Sequence, residues 1–245
     1  MAKLTWDGIG QKLFEAGIDQ VALYVQKDSI ADNADTGAAI YEKGVAWNGV
    51  TGITENREGG EVQEQWADNI KYVSLLSPED FGLTIEAFTY PDEFMACDGS
   101  AVITNGTPAA DIGLRIGLQK RKPFALVYRT KIGSDTDDLD HGYKLHIVYG
   151  CKAQPSERGY ETINDSPEAM TFSWEVNTTP IKTENAAGTI LTGYKPTAFI
   201  ELDSTVVGST KMAAIETILF GSGSTPGTND ATMMLPHEVW TTLTT

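Results

Sequence analysis

The chain predicts a mainly β fold, an antiparallel β-sandwich or flattened barrel with one flanking α-helix, and three observations carry that expectation. Apolar and polar residues alternate with a period of two in several segments. Turn-forming residues recur between those segments at short intervals, which gives about eight strands. A helical period with a start and a stop is convincing once, near the C-terminus. With 245 residues the chain is long enough to bury a core without disulfides or metals. No repeat or low-complexity tract marks a linker; residues 178–193 are the best candidate boundary, and residues 1–245 read as one domain.

Residues 1–18 read as an N-terminal arm, with Leu13, Phe14 and Ala16 able to form a single helical turn too short to stand alone. In residues 20–27, Val21, Leu23 and Val25 alternate with Ala22, Tyr24 and Gln26 as a first strand, and residues 28–37 form a polar loop. Residues 45–53 and 61–74 flank the turn Asn56-Arg57-Glu58-Gly59-Gly60, whose glycines accept positive φ, so the pair reads as a long hairpin with Trp47, Trp66 and Tyr72 as its large side chains. The segment 33–66 mixes glycine, polar residues and the isolated aromatics Tyr41 and Trp47, too sparse to bury itself, and is expected to order only against a neighbour. Ser77 and Pro78 suggest a capped single turn over residues 77–80, followed by a strand over 81–90 that Pro91 ends.

Residues 100–111 read as a polar loop and 112–117 as a short strand, leading into the central stretch 117–180. There, Phe124, Leu126 and Tyr128 face one way and Arg129 and Lys131 the other, the pattern of a half-buried strand. Tyr143, Leu145, Ile147 and Tyr149 repeat it. Met170, Phe172, Trp174 and Val176 share one face of a third strand against Thr171, Ser173 and Glu175, so a slip of one residue would expose the whole apolar set. Ala198, Ile200 and Leu202 mark a last strand. A helix over 209–220 follows, capped by Ser209 or Thr210, with Met212, Ile215 and Leu219 on one face, Ile218 beside them, and Gly221 as terminator. In the C-terminal segment 221–245, a surface loop over 221–230 precedes a final turn over 236–243 that docks Val239 and Trp240.

The formal charge of −16 and pI near 4.5 disfavour binding to nucleic acid by phosphate neutralisation, because the whole molecule repels a polyanion. Cys97 and Cys151 are the two cysteines, far apart and without metal-ligand spacing, so both are expected to be free thiols. The start lacks a basic segment followed by an apolar run, and nowhere do about 18 apolar residues run together. The chain thus reads as soluble and unsecreted, or released by lysis, with no membrane partner.

Catalysis would have to come from three histidines, two cysteines and many carboxylates. His146 and Cys151 suggest a base and thiol, but an extended chain holds them beyond hydrogen-bond reach and implies no third, orienting group. His141 and His237 read as solvated loop residues. Asp135, Asp137, Asp138 and Asp140 resemble a calcium loop until its details are checked: Asp140 stands where the sharp turn needs glycine and His146 where the bidentate glutamate belongs. A solvated hairpin turn fits better. The glycines never form a phosphate-binding sequence between a strand and a helix. No catalytic, cofactor-binding or metal-ligating residue is assigned, and the expectation is a protein that is not an enzyme.

Gln119-Lys120-Arg121-Lys122, with Arg115, Arg129 and Lys131, is the one basic concentration. It reads either as a patch that meets the acidic surface of another copy or as the solvated face of two strands, since exposed ion pairs add little stability yet steer association.

Several segments also resemble a known family. The run QKRKPF, the strands LVYRTKIGSDTD and DHGYKLHIVYG, and above all PSERGYETINDSPEAMTFSWEVNTTP are similar to the core of the major tail proteins, or tail tube proteins, of phages with long non-contractile tails. TIEAFTYPDEFMACDG, PTAFIELDST and LPHEV fit in the same order, and the resemblance spans residues 19–243. It implies a structural virion protein, assembled in the host cytoplasm, that stacks as rings, usually hexameric, into a hollow tube around a tape-measure protein. Tail terminator and distal tail proteins are further implied partners, and DNA passes through without specific binding. The resemblance favours a subunit contact for the basic run, with Tyr41, Trp47, Arg115, Lys120, Arg121 and Lys122 as candidate contact residues. An acidic lumen would keep DNA sliding, and Glu86 and Glu175, on the polar faces of their strands, are candidates to line it. Two other readings stand beside this one: the ring-forming tube protein of a bacterial secretion machine, and a carbohydrate-binding β-sandwich that uses the tryptophans, although Trp66 and Trp174 fall where strand cores fall.

Overall fold

The computed structural model describes residues 6, 8–32, 34–106, 110–156, 158–160, 162, 169–223 and 229–245. The start of the arm, Asn33, half of the 221–230 loop and much of the link before the third central strand lie outside the described residues. β1 (Leu13–Val25), α1 (Gly37–Ile40) and β2 (Val45–Ala46) come first, then β3 (Val50–Gly59), β4 (Val62–Ala67), β5 (Ile70–Leu76) and β6 (Glu79–Ala87). After α2 (Met95–Asp98) follow β7 (Ala101–Asn105), β8 (Ala110–Ile116), β9 (Phe124–Ser134) and β10 (Asp138–Ala153). β11 (Phe172–Asn177), β12 (Phe199–Asp203), α3 (Ser204–Val207), α4 (Ser209–Phe220) and α5 (Pro236–Thr244) complete the chain.

The sheet is antiparallel, in the order β2-β1-β9-β10-β11-β6-β3, with β12 also on β10. β10 is the hinge of this order. Its residues Lys144 to Val148 pair with β12, whereas Lys152 and Ala153 pair with β11. Between them the register against β9 shifts, at Gly150, whose φ is +62°. A Cβ there would lie 2.1 Å from the Thr179 carbonyl oxygen, so glycine is what lets β10 bulge and bend from one layer to the next. The result is a sandwich of β2-β1-β9-β10-β12 against β11-β6-β3.

Its interior is filled by Leu23, Leu126, Val148, Leu83, Ile85 and Trp174, all fully buried. A second core lies on the far side of the first layer, where Tyr24, Val127, Leu145 and Ile147 meet Met212, Ile215 and Leu219 of α4, with Val239 of α5. The expected helix is therefore present, with its predicted face inward. A 12-residue helix is marginal alone; each of those buried side chains contributes about 1.5–3 kcal/mol relative to exposure, which is what holds it. α5 packs alongside, and Trp240 remains partly exposed while Val239 docks. Neither Ser209 nor Thr210 caps α4; Gly208 takes the position with no side-chain bond.

The helical layer corrects the half-buried reading of the central strands. β9 is buried on both faces from Phe124 to Tyr128, so period two tells which side chains share a face but not that the other face meets water. Phe124, Leu126 and Tyr128 enter the sandwich, while Leu145, Ile147 and Tyr149 of β10 point to the helices. On β11, Trp174 and Val176 are buried, Phe172 is half-buried, and Met170 lies exposed before the strand begins.

Four local expectations fail because strand pairing, which depends on partners elsewhere in the chain, overrides the local signals. Residues 13–16 are not helical but pair with Ser134 to Lys131 of β9. β3 pairs with β6 rather than with the following strand, and β4 pairs with β5. Residues 77–80 are extended: Ser77 Oγ accepts from the Glu61 amide at 3.0 Å, and the Ser77 amide donates to the Glu61 carbonyl at 3.0 Å. Residues 101–105 and 110–116, expected as loop and short strand, form the β7–β8 hairpin. Residues 178–193 are tied to the body, with Thr178 Oγ1 bonded to the Phe81 carbonyl and Ile181 bridged to Thr197.

Candidate assembly surfaces

The groups that carry chemistry in the sequence are occupied with structure. His146 Nε2 lies 2.9 Å from Thr130 Oγ1 and its Nδ1 3.5 Å from Glu55, and burial pulls its pKa below the ordinary histidine value. Cys151 is fully buried, its Sγ 3.9 Å from the Tyr149 carbonyl, and burial pushes the thiol far up. Cys97, likewise buried, is pushed up to about 12. Both thiols are free and protonated at neutral pH. His237, expected in solvated loop, is buried, with Nε2 3.0 Å from the Asp35 carbonyl oxygen. In the aspartate turn, Asp135 Oδ1 accepts from the Gly10 amide at 3.0 Å and Asp137 accepts from His141 Nδ1 at 3.0 Å, which holds Asp137 below the usual carboxylate range. Among the described residues no cluster of histidine, cysteine and carboxylate side chains could hold a metal ion.

Tyr41 and Trp47, expected as contact residues, are buried in the chain's own cores: Trp47 packs 4.4 Å from Phe94 and 5.7 Å from Trp174, centroid to centroid, and its Nε1 donates to the Thr89 carbonyl at 2.8 Å. Their partners come from residues distant in sequence, so local sparseness misjudged them. Trp66 errs in the opposite sense, at 66% exposure.

Trp66 belongs to the feature the sequence missed. β4 and β5 continue β3 and β6 in one register, Gly59 opposite Glu79 and Val62 opposite Leu76, as a ribbon that leaves the sandwich. A two-residue turn closes it, with Asp68 and Asn69 at φ +52° and +61°, the left-handed pair that matches strand twist. Every residue of β4 and β5 is exposed, Ile70 by 62% and Tyr72 by 72%. A hairpin with Trp66 and Tyr72 as large side chains was legible, but whether another layer covers them was not.

The β7–β8 hairpin is a second ribbon outside the main sheet. Arg115 fastens it, with Nε 3.1 Å from Met95 Sδ and Nη2 2.6 Å from Asp111. Ile112, Leu114 and Ile116 stay exposed. In the adjoining basic run, Arg121 Nε donates to the Asp98 carbonyl at 3.2 Å and Lys122 pairs with Asp28 at 2.7 Å. Lys120 is exposed. Arg129 is drawn inward between Asp19, at 2.7 Å, and Glu216, at 3.7 Å.

Glu86 and Glu175 lie together on the outer face of the second layer, Glu86 opposite Ser173 and Glu175 opposite Thr84. Glu58 opposite Asp80 extends that face. Against these carboxylates the register places one cation, Lys152, opposite Asn177 at the β10 margin.

No helix among the described residues is long and apolar enough to cross a membrane. Compared with known proteins, the chain matches no family model and no curated protein.

Proposed function

We propose that the chain is the repeating subunit of a phage tail tube, self-assembling as stacked rings, hexameric in the family it resembles, through which the genome passes. The observation that carries this reading is the β4–β5 ribbon, which leaves the sandwich in register and exposes Val62, Trp66, Ile70, Tyr72, Leu75 and Leu76. A monomer gains nothing from displaying such a strip, whereas an assembly buries it. A ring needs one patch to meet a different patch on the neighbouring copy, and stacking needs a second such pair. Unpaired edges, such as that of β3, are suited to pairing between copies. The carboxylate face around Glu86 and Glu175 suits a wall that repels DNA rather than holding it. Tape-measure, terminator and distal tail proteins are the partners this reading implies.

The test is negative-stain microscopy and sedimentation of the purified chain across a concentration series. Rings or tubes are expected, and a chain that stays monomeric at high concentration refutes the reading. The exposed pair Trp66 and Tyr72 supports one other reading, a platform for stacking sugar rings. Binding of the monomer on a glycan array would favour it.

A further inference from the structure

We infer that the β7–β8 hairpin is the seat of the β4–β5 ribbon of a second copy of this chain. The inference rests on the self-assembly reading above and adds which two surfaces meet.

Among the described residues, two ribbons stand outside the eight-stranded sheet, β4–β5 and β7–β8. Each has an apolar side that its own chain leaves uncovered. In β7–β8, Val102 lies opposite Arg115, and Arg115 reaches Met95 and comes within 3.8 Å of Asp92, so that side is turned to the body. Ala101 lies opposite Ile116 and Ile103 opposite Leu114, which places the aliphatic side away from it. In β4–β5, alternation along each strand puts Val62 with Trp66 and Tyr72 with Leu76, Val62 lies directly opposite Leu76, and a bulge at Tyr72 sets Trp66 opposite Lys71. Two such strips pack face to face as the layers of a sandwich do.

Charge selects the pairing. The ribbon segment carries Glu61, Glu64 and Asp68 against Lys71 alone. Of the seat's Arg115, Lys120, Arg121 and Lys122, Arg115 pairs with Asp111 and Asp92 and Lys122 with Asp28, which leaves Lys120 and Arg121 without an ion pair among the described residues, in a chain with 34 acidic and 18 basic residues. Two ribbons, each with Glu61, Glu64 and Asp68 against Lys71, would repel; ribbon on seat sets that acidic surplus against Lys120 and Arg121, and it is heterologous, as ring or stack formation demands. An isologous dimer through the ribbon alone is disfavoured on the same ground.

The pairing is tested with the full chain carrying single cysteines, Tyr72→Cys in one preparation and Leu114→Cys in another. The native thiols are fully buried and leave the introduced ones to react. Mixing the two under mild copper-catalysed oxidation is expected to give several-fold more covalent dimer than either variant alone, and several-fold more than Tyr72→Cys mixed with Glu175→Cys. The same samples are imaged. Rings or tubes without the Tyr72–Leu114 dimer overturn the pairing and leave the tube reading standing. The dimer in a sample that never forms rings upholds the pairing and overturns the tube reading. Neither dimer nor rings overturns both, and an equal yield with Glu175→Cys, the mark of random collision, overturns the pairing.

Discussion

The rings of Tyr128 and His146 lie directly opposite one another on β9 and β10, their centroids 4.7 Å apart and their planes within 6° of parallel. The stack seats a polar group inside the sandwich. Tyr128 Oη donates to Glu55 Oε1 of β3 at 2.6 Å, and His146 Nδ1 stands 3.5 Å from Glu55 and 3.9 Å from Glu201 of β12. Thr130 holds the far side of the imidazole, and Lys144 bridges Glu201, at 3.0 Å, to Glu15 of β1. A carboxylate of the second layer is thus tied to the first by a hydroxyl and an imidazole. Truncating one of these leaves a buried polar group unpaired, at about 1–3 kcal/mol.

The cluster gives stability a dependence on pH. Burial is the largest influence on His146 and lowers its pKa, outweighing Glu55, Glu201 and Glu15, which raise it, with Lys144 lowering it further. The unfolded chain, with an ordinary imidazole near about 6.5, then takes up the proton first as pH falls. The neutral ring's full contribution is present above that value and is lost as pH drops towards the folded pKa, by at most about 1.4 kcal/mol per pH unit for one proton. Denaturant unfolding at several pH values between neutrality and mild acid should show a shallower slope for His146→Gln than for the parent. Parallel slopes would mean that the group does not titrate differently on folding.

Trp174 is 0% exposed and packs against Trp47, Tyr90, Phe94 and Phe172. Trp174→Ala is expected to cost about 3–5 kcal/mol, the range for a large aromatic removed from a packed interior. Its Nε1 has no hydrogen-bond partner among the described residues, so Trp174→Phe should cost less than loss of the ring suggests, since it also removes a buried unpaired donor. Thermal melts of both variants decide; an alanine variant that melts with the parent would place the strand in another register.

Replacing residues 62–76 by a short glycine turn between Glu61 and Ser77 should leave stability within about 0.5 kcal/mol, because the excised side chains are exposed. Assembly should be lost. Removing residues 48–60 instead would take out β3 and the half-buried Ile53 and unfold the second layer. Circular dichroism with sedimentation separates the outcomes, and normal tubes from the 62–76 replacement would refute the ribbon's role.

Reversing Glu86 and Glu175 to lysine tests the acidic face. Both are exposed, so the fold should tolerate the change. If that face lines the tube, the assembled variant should retain duplex DNA that the parent releases. The binding should weaken with salt, its log–log slope steepening by about 0.9 for each phosphate neutralised. Co-sedimentation at two salt concentrations reads this out, and equal release by parent and variant would move the face off the lumen.

Alternation alone determined which residues of β9, β10 and β11 share a face, because the side-chain period of a strand is intrinsic to its backbone. The face of Met212, Ile215 and Leu219 was equally legible, as was the placing of Glu86 and Glu175 on the polar faces of their own strands, since helical spacing and strand parity are local. Only the tertiary structure decided what each face meets. Tyr41 and Trp47 are buried by partners far along the chain, Trp66 and Tyr72 are left in solvent, and β3 pairs across an interposed hairpin with β6. Nothing within a segment encodes its cover: burial comes from a second layer, and pairing goes to whichever strand edge the finished fold leaves open.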